Sequence, residues 1–452
     1  MIQPRTDTVS ITEGPIWKGL LAFFFPILLG TFFQQLYNTV DAVVVGNFIG
    51  KEALAAAGGG TAIYINLLVG FFTGLSAGST IIISQFFGAG RKRELAAAVR
   101  TAIWISVVLG IFMTAAGLIL SRPALLVIET PQPVFDDSLL YLRIYFIGIL
   151  PMFIYNMGAG VLRAAGDSKS PFTVLVAGCF INIVLDLLFV PVLKLGIAGA
   201  AWATVISQTF CMAVIIKKLH RNSSFDFRIT NIKPETNLLN KMMRLGLPTG
   251  IQSSLYTISN LIIQSNVNSF GTDMIAAVAA YGRIDAFFWM TISSFGTAIT
   301  TFAGQNYGAH LISRIKKGTA EGLLMMGAIS VFYTVLFYST GKYIFRLFTA
   351  DAAVIEEGMN ILRFLSPFFI VYMPIEVLSG TIHGAGDTFR PMIITMLGVC
   401  VLRIVWLFAA VPLHRTINTV LACHPVTWIA TSIAFFIYYA SNAWLKETDG
   451  TR

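Results

Sequence analysis

The chain has 452 residues, of which 56% are hydrophobic and only 12% charged, with a mean hydropathy of +0.75. A soluble domain carries about 25% charged residues, so this composition excludes a soluble or disordered protein and points to the membrane. A net charge of +9 raises nucleic acid as a partner, and the placement of the basic residues decides against it.

The first sixteen residues are polar and mixed in charge, without the pattern of a cleavable signal peptide. The first apolar span, from Trp17, is expected to remain in the mature protein. A bilayer core of about 30 Å is crossed by about 20 apolar residues. By that measure the sequence predicts twelve spans, over 17–48, 53–87, 94–120, 135–162, 171–191, 196–218, 238–269, 274–306, 318–340, 354–382, 391–412 and 422–444. Several exceed the minimum and imply tilt or extension beyond the bilayer. Span one carries Pro26, which removes a backbone hydrogen bond and weakens the helix locally. Between Pro26 and Asp41 it also carries Gln34 and Tyr37, whose polar groups line a possible substrate path.

The polar stretch 220–237 separates six spans from six. It divides the chain into an N-terminal bundle over 1–219, a linker over 220–237 and a C-terminal bundle over 238–452. The halves repeat one another. Gly160 to Pro171 reads GVLRAAGDSKSP, and 220 residues later Gly380 to Pro391 reads GTIHGAGDTFRP. At the same offset Arg143 falls on Arg363, Gln85 on Gln305 and Gly88 on Gly308. Duplicated bundles around a central cavity are a common construction of secondary transporters. The predicted fold is therefore an all-α integral membrane protein with 12 transmembrane helices in two pseudo-twofold-related six-helix bundles.

Basic residues cluster after even-numbered spans (Arg91, Lys92, Arg93, Arg163, Lys169, Lys217, Lys218, Arg221, Arg228, Lys233, Lys241, Arg244, Arg314, Lys316, Lys317, Arg390). After odd-numbered spans there are only Lys51, Arg122, Lys194, Lys342, Arg346 and Arg415, six against sixteen. The positive-inside rule then predicts that both termini and the linker are cytoplasmic and that the two bundles run parallel. The basic charge reports topology, and no nucleic-acid partner is expected. Cys179, Cys211, Cys400 and Cys423 lie in or beside apolar spans without close pairing and read as small core residues.

Ionisable residues inside spans are costly and mark function. Asp41 lies in span one, and Asp186 in span five with Asn182 four residues earlier on the same helical face. Both carboxylates fall about 12–14 Å below the outer ends of their helices at 1.5 Å per residue, a depth that permits a shared pocket. A carboxylate in a low-dielectric cavity can bind and release a proton near neutral pH. With the oxygens of Asn182 and Thr204 the same pair suits Na⁺. At the repeat offset Asp186 meets Trp406, Asn182 meets Leu402, and Asp41 falls near Leu261 or Ile262, so the carboxylates exist only in the N-terminal half. The C-terminal half has its own insertions. Glu376 occupies the place of Asn156, and Arg283 and Asp285 lie two residues apart in span eight, where each is expected to pair with another span. Arg143, Arg363 and Arg403 read as structural.

The run Glu13-Gly14-Pro15-Ile16, followed by Pro26, Gln34, Tyr37 and Asp41-Ala42-Val43-Val44-Val45-Gly46, resembles the start of a multidrug and toxic compound extrusion (MATE) transporter. Gly88-Ala89-Gly90, Arg163-Ala164-Ala165-Gly166-Asp167 and Gln305-Asn306-Tyr307-Gly308-Ala309 extend the resemblance over essentially the whole chain. The set Asp41, Asn182, Asp186 and Thr204 is similar to the DinF-like branch, in which, the resemblance implies, these residues form a cation-linked site. Asn156 matches a further polar position of that network. The NorM-like branch has an acidic residue in span seven, and here Ile251 to Asn268 has none. Glu376 falls near an acidic position of span ten in the family.

These readings predict multidrug efflux from the plasma membrane by H⁺ or Na⁺ antiport through alternating access. Gln34, Tyr37, Asp41, Glu376, Asp285 and Arg283 are the expected substrate contacts, with Pro26 as hinge. The expected partners are small amphipathic or cationic organic compounds, the coupling ion and membrane lipid, with no cofactor and a monomeric protein. No Walker A loop, HExxH pair or aspartate-rich diphosphate motif is present, which argues against an enzyme or an ATP-driven pump. A lipid-linked precursor or glycan flippase is the rival reading. It calls for a strongly cationic cavity, whereas the clearest pocket here is acidic and the chain is rich in aromatics that suit lipophilic cations.

Overall fold

The computed structural model describes residues 11–58, 60–127, 129–228 and 232–445. The expectations for the first ten residues, for 229–231 of the linker and for the last seven residues lie outside that range. Every regular element among the described residues is helical. The first is α1 (Ile16–Phe48), followed by α2 (Lys51–Gly58), α3 (Gly60–Gly88), α4 (Lys92–Val127), α5 (Gln132–Ile147), α6 (Ile149–Ala164), α7 (Lys169–Leu187) and α8 (Gly196–Arg221). After the linker come α9 (Thr236–Val267), α10 (Thr272–Gly308), α11 (Ile312–Arg346), α12 (Ala352–Leu365), α13 (Phe369–Gly384), α14 (Phe389–Thr395), α15 (Leu402–Ala410), α16 (Ile417–Leu421) and α17 (Cys423–Ala440).

Ten helical stretches are long and apolar enough to cross a membrane, and α5 with α6, bent by 45°, supplies an eleventh. With 32 residues, α9 has the length of a twelfth. Gln252, Ser253, Ser254, Asn260 and Gln264 dilute its apolar character. Predicted span four is thus a bent pair, broken at Gly148. The span expected over 354–382 is interrupted by a 3₁₀ turn at Ser366–Phe368, where Pro367 has no N–H to give to a helix. Large apolar side chains such as Ile111, Phe112, Val331 and Phe332 stand more than half exposed. Such an outer surface is stable only against hydrocarbon.

The repeat is a repeat of caps. Helices α4, α5, α6 and α7 begin at 92, 132, 149 and 169, and α11, α12, α13 and α14 begin at 312, 352, 369 and 389, each 220 residues later. Gly166 and Gly386 adopt φ of 87° and 100°, where a side chain would be strained. The amides of Asp167 and Asp387 donate back to Leu162 O (2.9 Å) and Ile382 O (3.2 Å). This closes α6 and α13 with the six-to-one hydrogen bond of a Schellman turn. The two aspartates then start the next helices, accepting from the amides of Ser170 (2.8 Å) and Arg390 (3.2 Å). The duplicated phrase is thus read as a turn that stops one helix and starts another.

By packing, the chain divides into two units, and it does so inside helices rather than at the 220–237 stretch. Among the described residues the first unit comprises Ala22–Gly250, and the second Ile11–Leu21 and the chain from Ile251 on. Helix α1 changes unit at Leu21–Ala22, four residues before Pro26, and α9 does so two residues after Pro248. In the first unit Phe72 and Phe153 stack at 3.4 Å. Gly74 and Gly78 of α3 bring that helix to backbone contact with Gly246 and Thr249 of α9. In the second unit Phe288 and Phe369 stack at 3.8 Å, and the carbonyls of Ile11 and Glu13 are held by Asn306 Nδ2 (3.1 Å) and Arg314 Nη2 (2.9 Å).

Small residues set how closely these helices approach. A Cβ on Gly384 of α13 would lie 2.5 Å from the carbonyl oxygen of Thr300 on α10, whereas one on Gly282 of α10 meets open space. Gly384→Ala is therefore expected to destabilise by roughly 1–3 kcal/mol through overpacking. Gly282→Ala should be neutral or stabilising, by up to about 1 kcal/mol, because alanine is the better helix former. Thermal unfolding of the purified variants checks this, and equal melting temperatures would contradict the packing argument.

Candidate functional site

Three helices of the first unit build the site. Gly30 of α1 leaves room for Leu175 of α7, and Cys179 Sγ of α7 reaches Phe33 O of α1 at 3.5 Å. On the other side of α7, Gly178 lies so close to Cys211 of α8 that a Cβ would come within 2.2 Å of its sulfur. With the backbones this near, short side chains from all three helices converge. The four cysteines are buried and unlinked, as small core residues are.

Asp186 is 0% exposed and Asn182, one turn before it on α7, is 1% exposed. Neither oxygen of the Asp186 carboxylate has a hydrogen-bond partner, nor has either polar atom of the Asn182 amide. Asp41, half-buried on α1, adds a buried Oδ1 in the same condition. Asp186 lies within electrostatic range of Asp41. Tyr37, Tyr141 and Tyr145 share that electrostatic neighbourhood. Buried polar groups are normally hydrogen-bonded, and a carboxylate in hydrocarbon costs about 2.5–3.5 kcal/mol on the insertion scale. Four orphaned oxygens in one place form a hard-oxygen donor set, and such a set suits a proton or a small cation.

A cavity of ≈10 Å³ meets this group at Asn182 and is lined also by Tyr37, Leu175, Gly178, Cys179, Ser207, Gln208 and Cys211, with neither carboxylate in its wall. That is the room of about one water, enough for an ion and far too small for an organic substrate. From α8 the lining takes Ser207 and Gln208 and not Thr204. The Thr204 hydroxyl donates to Ala200 O of its own helix at 3.3 Å, which leaves its oxygen lone pairs to accept. Gln208, one turn further along, carries another buried oxygen without a partner. Its signal in the sequence is an amide four residues after Thr204 within an apolar span. Tyr141 and Tyr145 were also missed; they are stacked on α5 at 6.1 Å and spaced one turn apart. Asn156 is half-buried on α6 and does not line this cavity. Gln34 is exposed on α1. Pro26 lies within α1, which continues as one helix through it.

The remaining predicted residues belong to the second unit. Glu376 of α13 lies against Gly296 of α10, where a Cβ would fall 2.1 Å from its Oε1. It shares its electrostatic surroundings with Tyr256 and Tyr372. The expectation that Asp285 pairs with another span is corrected: it accepts from Trp289 Nε1, one turn on in the same helix, and also bonds Tyr281 of that helix, while its Oδ1 has no partner. Arg283 is exposed and stands over the ring of Phe348, just beyond α11, at 5.9 Å. The two side chains, two residues apart on one helix, point to different faces.

The MatE family model matches residues 26–188 and 248–408, one match in each half and well over half of the chain together. A probable multidrug resistance protein, YpnP of Bacillus subtilis (strain 168), is 30% identical over 439 residues, covering 96% of this chain and 97% of its own. Two solved structures share the fold at 22% identity. One, described as MATE in the bent conformation, has a TM-score of 0.88 and covers 99% of this chain and 100% of that one. The other, described as MATE in the straight conformation, has a TM-score of 0.89 and covers 98% and 100%. The chain belongs to the MatE family and is a multi-pass membrane transporter.

An unsatisfied buried carboxylate costs stability that a coupling role would justify. Asp186→Leu is therefore expected to raise the melting temperature, by the equivalent of about 1–3 kcal/mol, since it removes an unpaired polar group from the interior. Thr204→Val, which removes a hydroxyl already bonded to its own helix, should change it by less than about 1 kcal/mol. A lower melting temperature for Asp186→Leu would mean that the carboxylate makes stabilising contacts, and the site reading would fall.

Proposed function

We propose that this member of the MatE family exports small amphipathic or cationic organic compounds from the cell in exchange for H⁺ or Na⁺. The observation that carries the proposal is the cluster of buried, unpartnered oxygens of Asp41, Asn182 and Asp186, with a small cavity at Asn182. Multidrug resistance in the name of the Bacillus relative supports the substrate class. In this reading the chain lies in the plasma membrane as a monomer with both termini in the cytoplasm.

The mechanism follows from linkage. An ion at Asp41 and Asp186 and a substrate in the transport path must oppose one another, because mutually unfavourable binding is what makes exchange obligatory. A proton or Na⁺ arriving from outside satisfies the orphaned oxygens and weakens substrate binding. Substrate arriving from inside displaces the ion in turn. Coupling of the two sites by about 3 kcal/mol gives a factor of roughly 150 in affinity, ample for a directional cycle. The hinge of this cycle is Pro26. It leaves the Ala22 carbonyl without its intrahelical donor, at the residue where α1 passes from one packing unit to the other. The bent and straight structures of a fold relative are consistent with a MATE protein having two shapes.

Asp41→Asn and Asp186→Asn change titration but little volume, so each should abolish coupled efflux while the protein still inserts and folds. Asp285→Asn, whose partners lie on its own helix, should be milder. Drug efflux from inside-out vesicles under separate ΔpH and Na⁺ gradients measures this and identifies the ion. Wild-type transport by both N-terminal variants would make the pair structural. Pro26→Ala restores a backbone donor and relieves a ring clash, together on the order of 3 kcal/mol, comparable to the few kcal/mol between major and minor conformers. That variant is expected to bind substrate but turn over slowly. Spin-label distances between α1 and α7 should change with pH in the wild type and stay fixed in the variant; if both respond alike, Pro26 is a static kink.

A further inference from the structure

Arg403 is 3% exposed, in the interior of the second unit, at the start of α15. It follows directly on a π-helical turn at Met396–Val401, a local irregularity often found at functional sites. Its Nη1 donates to Ser259 Oγ (3.3 Å) and Asn260 Oδ1 (3.0 Å) of α9, and its Nη2 meets His424 Nδ1 of α17 at 3.5 Å. The Nε is buried and has no partner. Among the described residues the one salt bridge joins Arg390 and Asp387, so no carboxylate balances this guanidinium. All the groups around it that hydrogen-bond are neutral. A buried charge is normally paired, and this one has nothing of opposite sign within ion-pair distance.

The position in the fold adjoins the counterpart of the acidic cluster, Arg403 itself being the 220-offset counterpart of Ile183. His424 is the 220-offset counterpart of Thr204, Leu402 of Asn182 and Trp406 of Asp186. Asn260 stands on α9 next to the counterpart region of Asp41. The helices that hold orphaned acids in the first unit are α1, α7 and α8. In the second unit their duplicates, α9, α15 and α17, hold an orphaned base instead. The scaffold was copied and its charge inverted. Beside Arg403 runs an aromatic wall: His424 lies 5.4 Å from Trp428, which lies 5.4 Å from Tyr372 and 6.0 Å from Trp289. Asn260, on the side away from that wall, is exposed.

We propose that Arg403, with Asn260 and His424, is an anion-recognition site that takes an oxyanion, carboxylate or sulfonate, carried on an aromatic or apolar body. The planar guanidinium offers donors in a fork that matches such a group. With His424 Nδ1 accepting from Arg403, the ring proton sits on Nε2 and adds a donor. The site deepens the export reading and rests on it: the compounds carried then include zwitterions and organic acids, with the acid held in the second unit while the ion is held in the first.

The test is equilibrium binding to the purified full chain in phosphatidylcholine nanodiscs, using 2-naphthoate and, as a cation of the same shape, 2-naphthylmethylammonium. The wild type should bind naphthoate, Arg403→Gln at least tenfold more weakly, and Arg403→Lys in between, while the affinity for the ammonium changes less than twofold. A merely structural arginine would lower melting temperature and both affinities together. Equal naphthoate binding by wild type and Arg403→Gln, or none by the wild type, overturns the proposal. Repeating the titration with phosphatidylglycerol in the disc separates two sources of the same chemistry. Unchanged naphthoate binding supports a soluble acid, and competition by phosphatidylglycerol that Arg403→Gln abolishes assigns the oxyanion to a lipid headgroup. Naphthoate binding is read at equilibrium with no ion gradient across the disc, whereas coupled efflux is read in vesicles under a gradient, so failure of the antiport reading and failure of the anion site remain distinct.

Discussion

Inside a membrane bundle a polar side chain has no water to fall back on, and the rest of this structure follows from how that cost is met. Most polar groups meet it locally. Thr101, Thr301, Thr319 and Thr427 each return a hydroxyl to a carbonyl of their own helix, and Asp285 is held by Trp289 and Tyr281 of the same helix. Other buried atoms also lack a partner, Asp285 Oδ1 among them, but in Asp41, Asn182 and Asp186 such oxygens fall in one electrostatic neighbourhood. Packing alone does not retain such groups, since an apolar residue of similar size is more stable in the same place. The expense is intelligible if something that comes and goes satisfies them.

Duplication explains why the architecture is regular while its chemistry is not. The 220-residue offset is kept where backbone geometry requires it, in the left-handed glycines at 166 and 386 and the capping aspartates that follow them. Side chains that face the interior of each unit are under no such constraint. There the copies diverged, acid in one and base in the other, on helices that still start in register. A transporter gains from that freedom, because two similar frames with different linings respond to different ligands.

Much of this was legible in the sequence. Helix count and the two halves follow from apolar run length and from the repeated phrase, both of which are one-dimensional. Asp41, Asp186 and Asn182 stood out because charge and amide are rare in such runs, and their common depth follows from counting residues at helical rise. The third helix of the site was harder. Thr204 reads as an oxygen ligand in the sequence; its hydroxyl donates to Ala200, and from the same helix the cavity wall takes Ser207 and Gln208. Helix rotation decides between residues three or four apart, and a sequence fixes rotation only when the apolar stripe is narrow; α7 and α8 are apolar on most sides. Tyr141 and Tyr145 escaped for the same reason. Asp285 was assigned a partner across helices because charge suggests charge, whereas Trp289 and Tyr281 of its own helix are what it bonds.

Position along the chain carries a further consequence for coupling. The packing units exchange their first segments: Ile11–Leu21 belongs with the C-terminal helices, and α9 up to Gly250 with the N-terminal ones. Each crossing falls beside a proline, Pro26 in α1 and Pro248 in α9, where the hydrogen-bond ladder is already interrupted. A helix that bends at an interrupted rung loses fewer bonds than one that bends elsewhere. Asp41 stands on the same helix as the first crossing, fifteen residues beyond Pro26, or about four turns. In the proposed cycle, protonation or ion binding there would change what that helix must satisfy on α7, and the least costly place for α1 to yield would be at Pro26. Such a signal would need no path of successive contacts through the core, because one helix carries both the ionisable group and the interrupted rung.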